Sequence, residues 1–231
     1  MLETHLFTVM EIPKNAESYS FCLLIKAELV SYKNRYQDKF HSFFEYYTFL
    51  KNCFITLKNF KDLIQKSSKL LHGHSELLLI RKNLTSKLEC IEYIRNKICG
   101  HIDDDFVRFA IMWNPHMLVE PPKEKEEEGL DAIGRVELLS KSMIESAINS
   151  YIVDVPNQTI FASEIDLFYP PNYTELSTFV IDVVDTSLSF LEIFSTILEK
   201  DINFYDKDNI YDAYKEAGLM DFGVKQPKLK K

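Results

Sequence analysis

Phe40 to Ile64 reads FHSFFEYYTFLKNCFITLKNFKDLI. Its apolar positions fall at Phe40, Phe43, Phe44, Tyr47, Leu50, Phe54, Leu57 and Ile64. That is the i, i+3, i+4, i+7 spacing of one face of a helix. Neither Pro nor Gly interrupts residues 16–72, so two helices, or one kinked helix, fill that stretch. Upstream, Tyr19, Leu23, Ala27 and Val30 predict a helix over Glu17–Tyr32. Downstream, the His72-Gly73-His74 turn ends the run, with Gly73 at a helix stop. A further helix is expected over Ser75–Cys99, with Ser75 as its cap, Leu84, Leu88, Ile91 and Ile98 as its stripe, and Gly100 just past its end.

The second half of the chain is less regular. Residues 103–129 read as an irregular acidic insertion: three aspartates, a β-leaning run from Phe106 to Trp113, then Pro121-Pro122 and a Glu/Lys run. A helix over Leu130–Ser150 follows, with Leu130, Ile133, Val136, Ile144 and Ala147 facing inward. Residues 151–168 suggest a small β-hairpin. Another helix begins near Asn172 or Thr174 and carries Leu176, Phe179, Val183, Phe190, Phe194 and Ile197. A short last helix is expected over Asn209–Ala217, before a Lys-rich tail at 224–231. The fold class that results is all-α: one domain over 1–231, an antiparallel up-and-down bundle of four to six helices.

Composition narrows the function classes. Only 6 glycines occur in 231 residues, which argues against glycine-rich phosphate loops and many-turned β folds. The four cysteines Cys22, Cys53, Cys90 and Cys99 lie far apart and form no C-x-x-C pair, so free thiols in a reducing compartment are expected. Met1 to Pro13 lacks the apolar core of a signal peptide, and no uncharged apolar run is long enough to span a bilayer; a cytoplasmic location without membrane contact is expected. The net charge of −8 is uneven. Residues 1–102 carry 15 Lys+Arg against 10 Asp+Glu, and residues 103–231 carry 12 against 25. Such asymmetry suits either a face for an anionic partner or an acidic surface that covers the basic one.

One residue breaks the binary pattern. On a helical wheel of about 100° per residue with Leu84 at zero, Leu88 falls at about 40°, Ile91 at about 340°, Ile98 at about 320° and Arg95 at about 20°. Arg95 therefore points along the apolar stripe, where a guanidinium that cannot lose its proton needs an acid, a carbonyl or a wet cleft. An arginine in the last helical turn can also cap carbonyls or snorkel past the bundle end, and both alternatives stay open. Asn96 is its neighbour, and His101 lies just beyond Gly100.

The segment R-N-K-I-C-G-H, Arg95 to His101, resembles the signature of the HEPN superfamily (higher eukaryotes and prokaryotes nucleotide-binding): an Arg, a polar residue, and a His after four to six intervening positions. The resemblance implies a helical bundle over roughly residues 17–200 and a homodimer in which two such motifs share one cleft. It implies a metal-independent RNA endonuclease, in stress response or phage defence, with RNA or a nucleotide as ligand and a protein antitoxin or regulator as partner. His101 would be the general acid/base, Arg95 would bind the scissile phosphate, and Asn96 would orient either. The products would be a 2′,3′-cyclic phosphate and a 5′-hydroxyl, with neither cofactor nor metal. Non-catalytic members bind nucleotides or proteins, and a helical scaffold with a purely structural Arg95 is the third expectation. An antitoxin-modified subgroup carries Tyr where this chain has Asp103.

Other polar groups have bland readings: His72 and His74 as a solvated turn, Cys99 as a packed thiol, Asp103–Asp105 as helix-start charge. Lys33, Arg35, Lys39, Lys51, Lys58, Lys61, Lys66 and Lys69 spread around their helices rather than forming a nucleic-acid stripe. Phe106 and Trp113 are expected in the core rather than as partner anchors.

Overall fold

The structure, a computed structural model, describes residues 15–38, 40–100, 104–119, 132–202 and 204. Among these residues it is built from six helices and contains no strand: α1 (Ala16–Gln37), α2 (Phe43–Lys66), α3 (Ser75–Arg95), α4 (Asp104–Trp113), α5 (Ala132–Asp154) and α6 (Pro170–Lys200). The expected all-α bundle is what forms. The expected last helix at 209–217 and the tail at 224–231 lie outside the described residues.

Cross-helix contacts fix the directions. Arg35 pairs with Glu45, and Thr56 Oγ1 donates to Glu28, 2.6 Å away, so α1 and α2 run antiparallel. Cys99 lies against the Lys51 carbonyl and Lys61 pairs with Glu92, so α2 and α3 do likewise. Lys26 meets Glu192 and Lys33 meets Asp185, which makes α1 and α6 antiparallel as well. Tyr46 meets Ser177 and Phe60 meets Phe190, a parallel relation across the diagonal. Helices α1, α2, α3 and α6 thus form an up-down-up-down four-helix unit. Helix α5 lies over α2 and α3, and α4 covers α5.

Helix α2 touches α1, α3, α5 and α6, and its burial follows from that position. Tyr47, Leu50, Phe54, Leu57 and Ile64 are buried as its periodicity predicts, and so are Tyr46, Cys53 and Phe60 outside that stripe. Phe44 instead faces outward. At the helix start Ser42 accepts the Glu45 N–H at 3.1 Å, while the Glu45 carboxylate accepts the His41 N–H at 2.8 Å. The two satisfy amides that the first turn leaves open. Gly73 has φ of 98°, the left-handed conformation its place after α2 calls for.

Several expectations are corrected. The buried face of α1 is Cys22, Ile25 and Leu29; Leu23 and Val30 are exposed. The stripe read from the sequence is about one residue out of phase, because α1 is apolar on several sides. The β-leaning run Phe106–Trp113 falls within α4, so the insertion 103–129 is not irregular throughout. Tyr151–Asp154 completes α5 instead of opening a hairpin. Ile133 and Val136 are exposed, and α5 buries Met143, Ile144, Ala147, Ile148 and Tyr151.

No hairpin forms at 151–168 because side chains supply the backbone partners. Gln158 Oε1 accepts from the N–H groups of Ile160 and Phe161, and its Nε2 donates to the Phe161 carbonyl. Asn149 brackets both backbone groups of Ile165, and Glu145 accepts the Leu167 N–H. The apolar residues of the run, Phe161, Ile165 and Leu167, are core anchors. Helix α6 starts at Pro170, with prolines in its first two positions, two residues before the first of the expected caps. A proline there gives up only an N–H that the first turn does not use.

Charge asymmetry is partly an internal match. Along α6, Asp182 pairs with Lys87 of α3, while Asp185 and Glu192 pair with Lys33 and Lys26 of α1. These pairs are partly exposed and contribute only a few tenths of a kcal/mol each, up to about 1. Their role is to set which acidic face covers which basic one.

Candidate functional site

Helix α3 buries Leu77, Leu84, Leu88, Cys90, Ile91 and Ile94, and Ile98 continues the core beyond it. Past Arg95 the helix widens into a single π-turn over Asn96–Gly100. Such turns hold one residue more than an α-turn and concentrate at functional positions. Arg95 is half-buried, with its Nε buried and without a hydrogen-bond partner among the described residues. Its Nη1 donates to the exposed Asn96 Oδ1 at 3.2 Å. No carboxylate among the described residues pairs with it. The stem therefore lies in the stripe and the tip reaches the surface.

Arg95 and Asn96 are thus side by side and in contact. His101 and Asp103 lie outside the described residues. Asp104 and Asp105 stand in the first turn of α4, where a helix dipole favours negative charge, and Asp105 also meets Arg108 at 3.3 Å. Among the described residues, no group of three His, Cys, Asp or Glu side chains is placed to hold a metal ion.

The neighbouring thiol is quiet. Cys99 Sγ sits 3.7 Å from the Lys51 carbonyl, and burial pushes its thiol up to about 11 even though Lys51 and Arg95 pull the other way. It is protonated near neutrality, as a packed thiol should be. His72 and His74 flank the Gly73 turn, and His74 stands at the N-cap of α3, displacing Ser75 from the expected role. Much of the lysine and arginine set on α1 and α2 is engaged internally. Arg35 pairs with Glu45 and Asp38, Lys58 with Asp62 and Glu92, Lys61 with Glu92, and Lys51 lies 5.3 Å from the Tyr47 ring. Lys39 lies outside the described residues.

One feature has no counterpart among the sequence expectations. A cleft of about 490 Å³ opens between the end of α3, the outer face of α4 and the second half of α5, next to the π-turn. Trp113 lines it at 55% exposure, not in the core as expected, and the Phe109 ring lies 6.3 Å away. Phe106, Phe109, Ala110 and Trp113 have helical spacing, which is the signal that could have revealed α4. The β propensity of the individual residues masks it.

In comparisons with protein-family models, with curated proteins and with solved structures, nothing matches this chain. No helix of the described residues is long and apolar enough to cross a membrane.

Proposed function

We propose that this chain is a HEPN-like, metal-independent RNA endonuclease. The observation that carries the reading is Arg95: a half-buried arginine at a helix end, without a carboxylate partner among the described residues and with a buried Nε that bonds to none of them. A structural arginine in that position normally has an acid or a carbonyl. A phosphate oxygen would supply the missing acceptor, in a charge-assisted bond. Asn96, already in contact with the guanidinium, would hold its orientation.

In the proposed reaction His101 takes the proton of a ribose 2′-hydroxyl, and that oxygen attacks the adjacent phosphorus. The 5′-oxygen leaves and takes up a proton, giving a 2′,3′-cyclic phosphate and a 5′-hydroxyl. Arg95 offsets the charge that builds on the phosphoryl oxygens. A homodimer would pair two motifs in one cleft, and a role in stress response or phage defence, under a protein antitoxin, would follow.

Asp104 and Asp105 at the start of α4 favour a second reading, a non-catalytic module that binds a nucleotide or a protein, because they place negative charge close behind the motif. The test is cleavage of a mixed RNA substrate with chelator present. Arg95→Ala and His101→Ala should each abolish cleavage while helical content stays unchanged. Cleavage by both variants at the parent rate would defeat the assignment. No cleavage by the parent at any pH, with thermal stabilisation by nucleotides, would support the second reading.

A further inference from the structure

The cleft between α3, α4 and α5 has a chemistry that RNA cleavage does not use. Its walls carry three aromatic rings, those of Tyr93, Phe109 and Trp113, with Phe109 and Trp113 about half exposed. Three of its polar side chains already spend their donors. The Tyr93 hydroxyl donates to Asp154, the Ser146 hydroxyl to the Ser142 carbonyl at 2.5 Å, and the Asn149 amide to the Ile165 carbonyl at 2.9 Å. The carboxylates of Asp105, Asp154 and Glu164 stand in the lining, and Asp105 is shared with Arg108. One cation of the described lining, Lys97, lies 5.7 Å from the Tyr93 ring. With Asp105 matched by Arg108, two carboxylates face one ammonium, and the walls are net negative.

Ring faces and carboxylates together select a cation with an apolar stem: the quadrupole attracts the charge and the ring covers the methylenes. A hydrated metal ion would gain little from the rings, and a phosphate would be repelled. The volume of about 490 Å³ falls within the range of small-molecule sites, roughly 300–1,000 Å³, and is large for a single ammonium head. We propose that this cleft binds an aliphatic polyamine, with its ammonium groups on Asp154 and Glu164 and its methylene chain across Phe109 and Trp113. The proposal is independent of the ribonuclease reading, since Arg95 does not line the cleft.

Trp113 is the sole tryptophan of the chain, so intrinsic tryptophan emission reports on this cleft alone. The full-length protein is titrated with spermidine at constant ionic strength, with magnesium chloride as the inorganic control. A saturable emission change with spermidine and none of comparable size with magnesium is expected. Asp154→Asn combined with Glu164→Gln should weaken spermidine about tenfold, the loss of one good charged contact. Phe109→Leu, which keeps both carboxylates, should weaken it by a smaller factor, and it provides the reading if the double variant fails to fold. Arg95→Ala should leave the titration unchanged, so this proposal and the RNA reading can fail separately. A flat titration, an equal response to magnesium, or parent-like binding by the folded variants would overturn the proposal.

Discussion

Replacing Arg95 with methionine separates a cation kept for a ligand from one kept for the fold. Methionine retains the unbranched stem that lies in the α3 stripe and removes the guanidinium. Three contributions then change. A buried, unpartnered Nε costs about 1–3 kcal/mol, and that cost disappears. The exposed Nη1 bond to Asn96 is lost, at about 0.5–1 kcal/mol. A positive charge near the end of α3 is lost as well, at about 0.3–1 kcal/mol. The balance lies between no change and a gain of about 2 kcal/mol. Urea unfolding followed by far-UV circular dichroism measures it, and RNA cleavage is assayed on the same preparation. The expected result is an equal or more stable protein whose cleavage rate falls about a hundredfold or more, the cost of removing one donor to a developing charge. A loss of more than about 2 kcal/mol would refute the reasoning, because it would mean that the guanidinium holds the native fold together.

The packing of the bundle makes three further outcomes testable. Tyr46 and Ser177 share a buried 2.8 Å hydrogen bond between α2 and α6; Ser177→Ala orphans the Tyr46 hydroxyl and should cost about 2–3 kcal/mol, while Tyr46→Phe costs about 1 because Tyr173 also bonds Ser177. The double variant should be clearly more stable than the sum of the two losses, and strict additivity in urea unfolding would contradict this pairing. Burial pushes the Cys53 and Cys90 thiols far up, so neither should react with iodoacetamide at mildly alkaline pH until the protein unfolds, as mass spectrometry of digests would show. Glu92 is held below the usual carboxylate range, chiefly by its hydrogen bond from Lys61; burial opposes this, and a second bond from Lys58 adds to it. Its stabilisation is complete above the usual carboxylate value and is lost as pH falls through the lowered one. The stability difference between parent and Glu92→Gln, of order 1 kcal/mol near neutrality, should therefore shrink steadily on acidification; an unchanged difference at the acid end would count against the pairing.

Much of the bundle was legible where one face alone is apolar. On α2 and α6 the aromatic and leucine positions repeat at helical spacing, and Leu50, Phe54, Leu57, Leu176, Val183 and Phe190 are buried as that spacing requires. On α1 the pattern fails because Leu23, Leu24 and Val30 are apolar yet exposed, so periodicity alone cannot choose the face. The stretch from 155 to 169 was illegible for a different reason: Gln158 and Asn149 satisfy its backbone through their side chains, a solution that no propensity scale carries. Of the candidate site, Arg95 was found as a violation of the stripe, and its contact with Asn96 follows from adjacency. The cleft beside it depends on how α4 lies over α5, a long-range relation with no local trace beyond the spacing of Phe109, Ala110 and Trp113.

The wide turn at Asn96–Gly100 acts as a phase adjuster for the downstream chain. An inserted residue in a helix ordinarily rotates all later positions by about 100°. Here the surplus is absorbed locally, so Ile98 keeps its buried place while Arg95 stays at the rim. Shortening this turn by one amino acid would rewind it into ordinary helix and swing α4 about the axis of α3. Both the guanidinium's outlook and the aromatic wall would then move together, which makes this one turn the joint on which two otherwise separate surfaces depend.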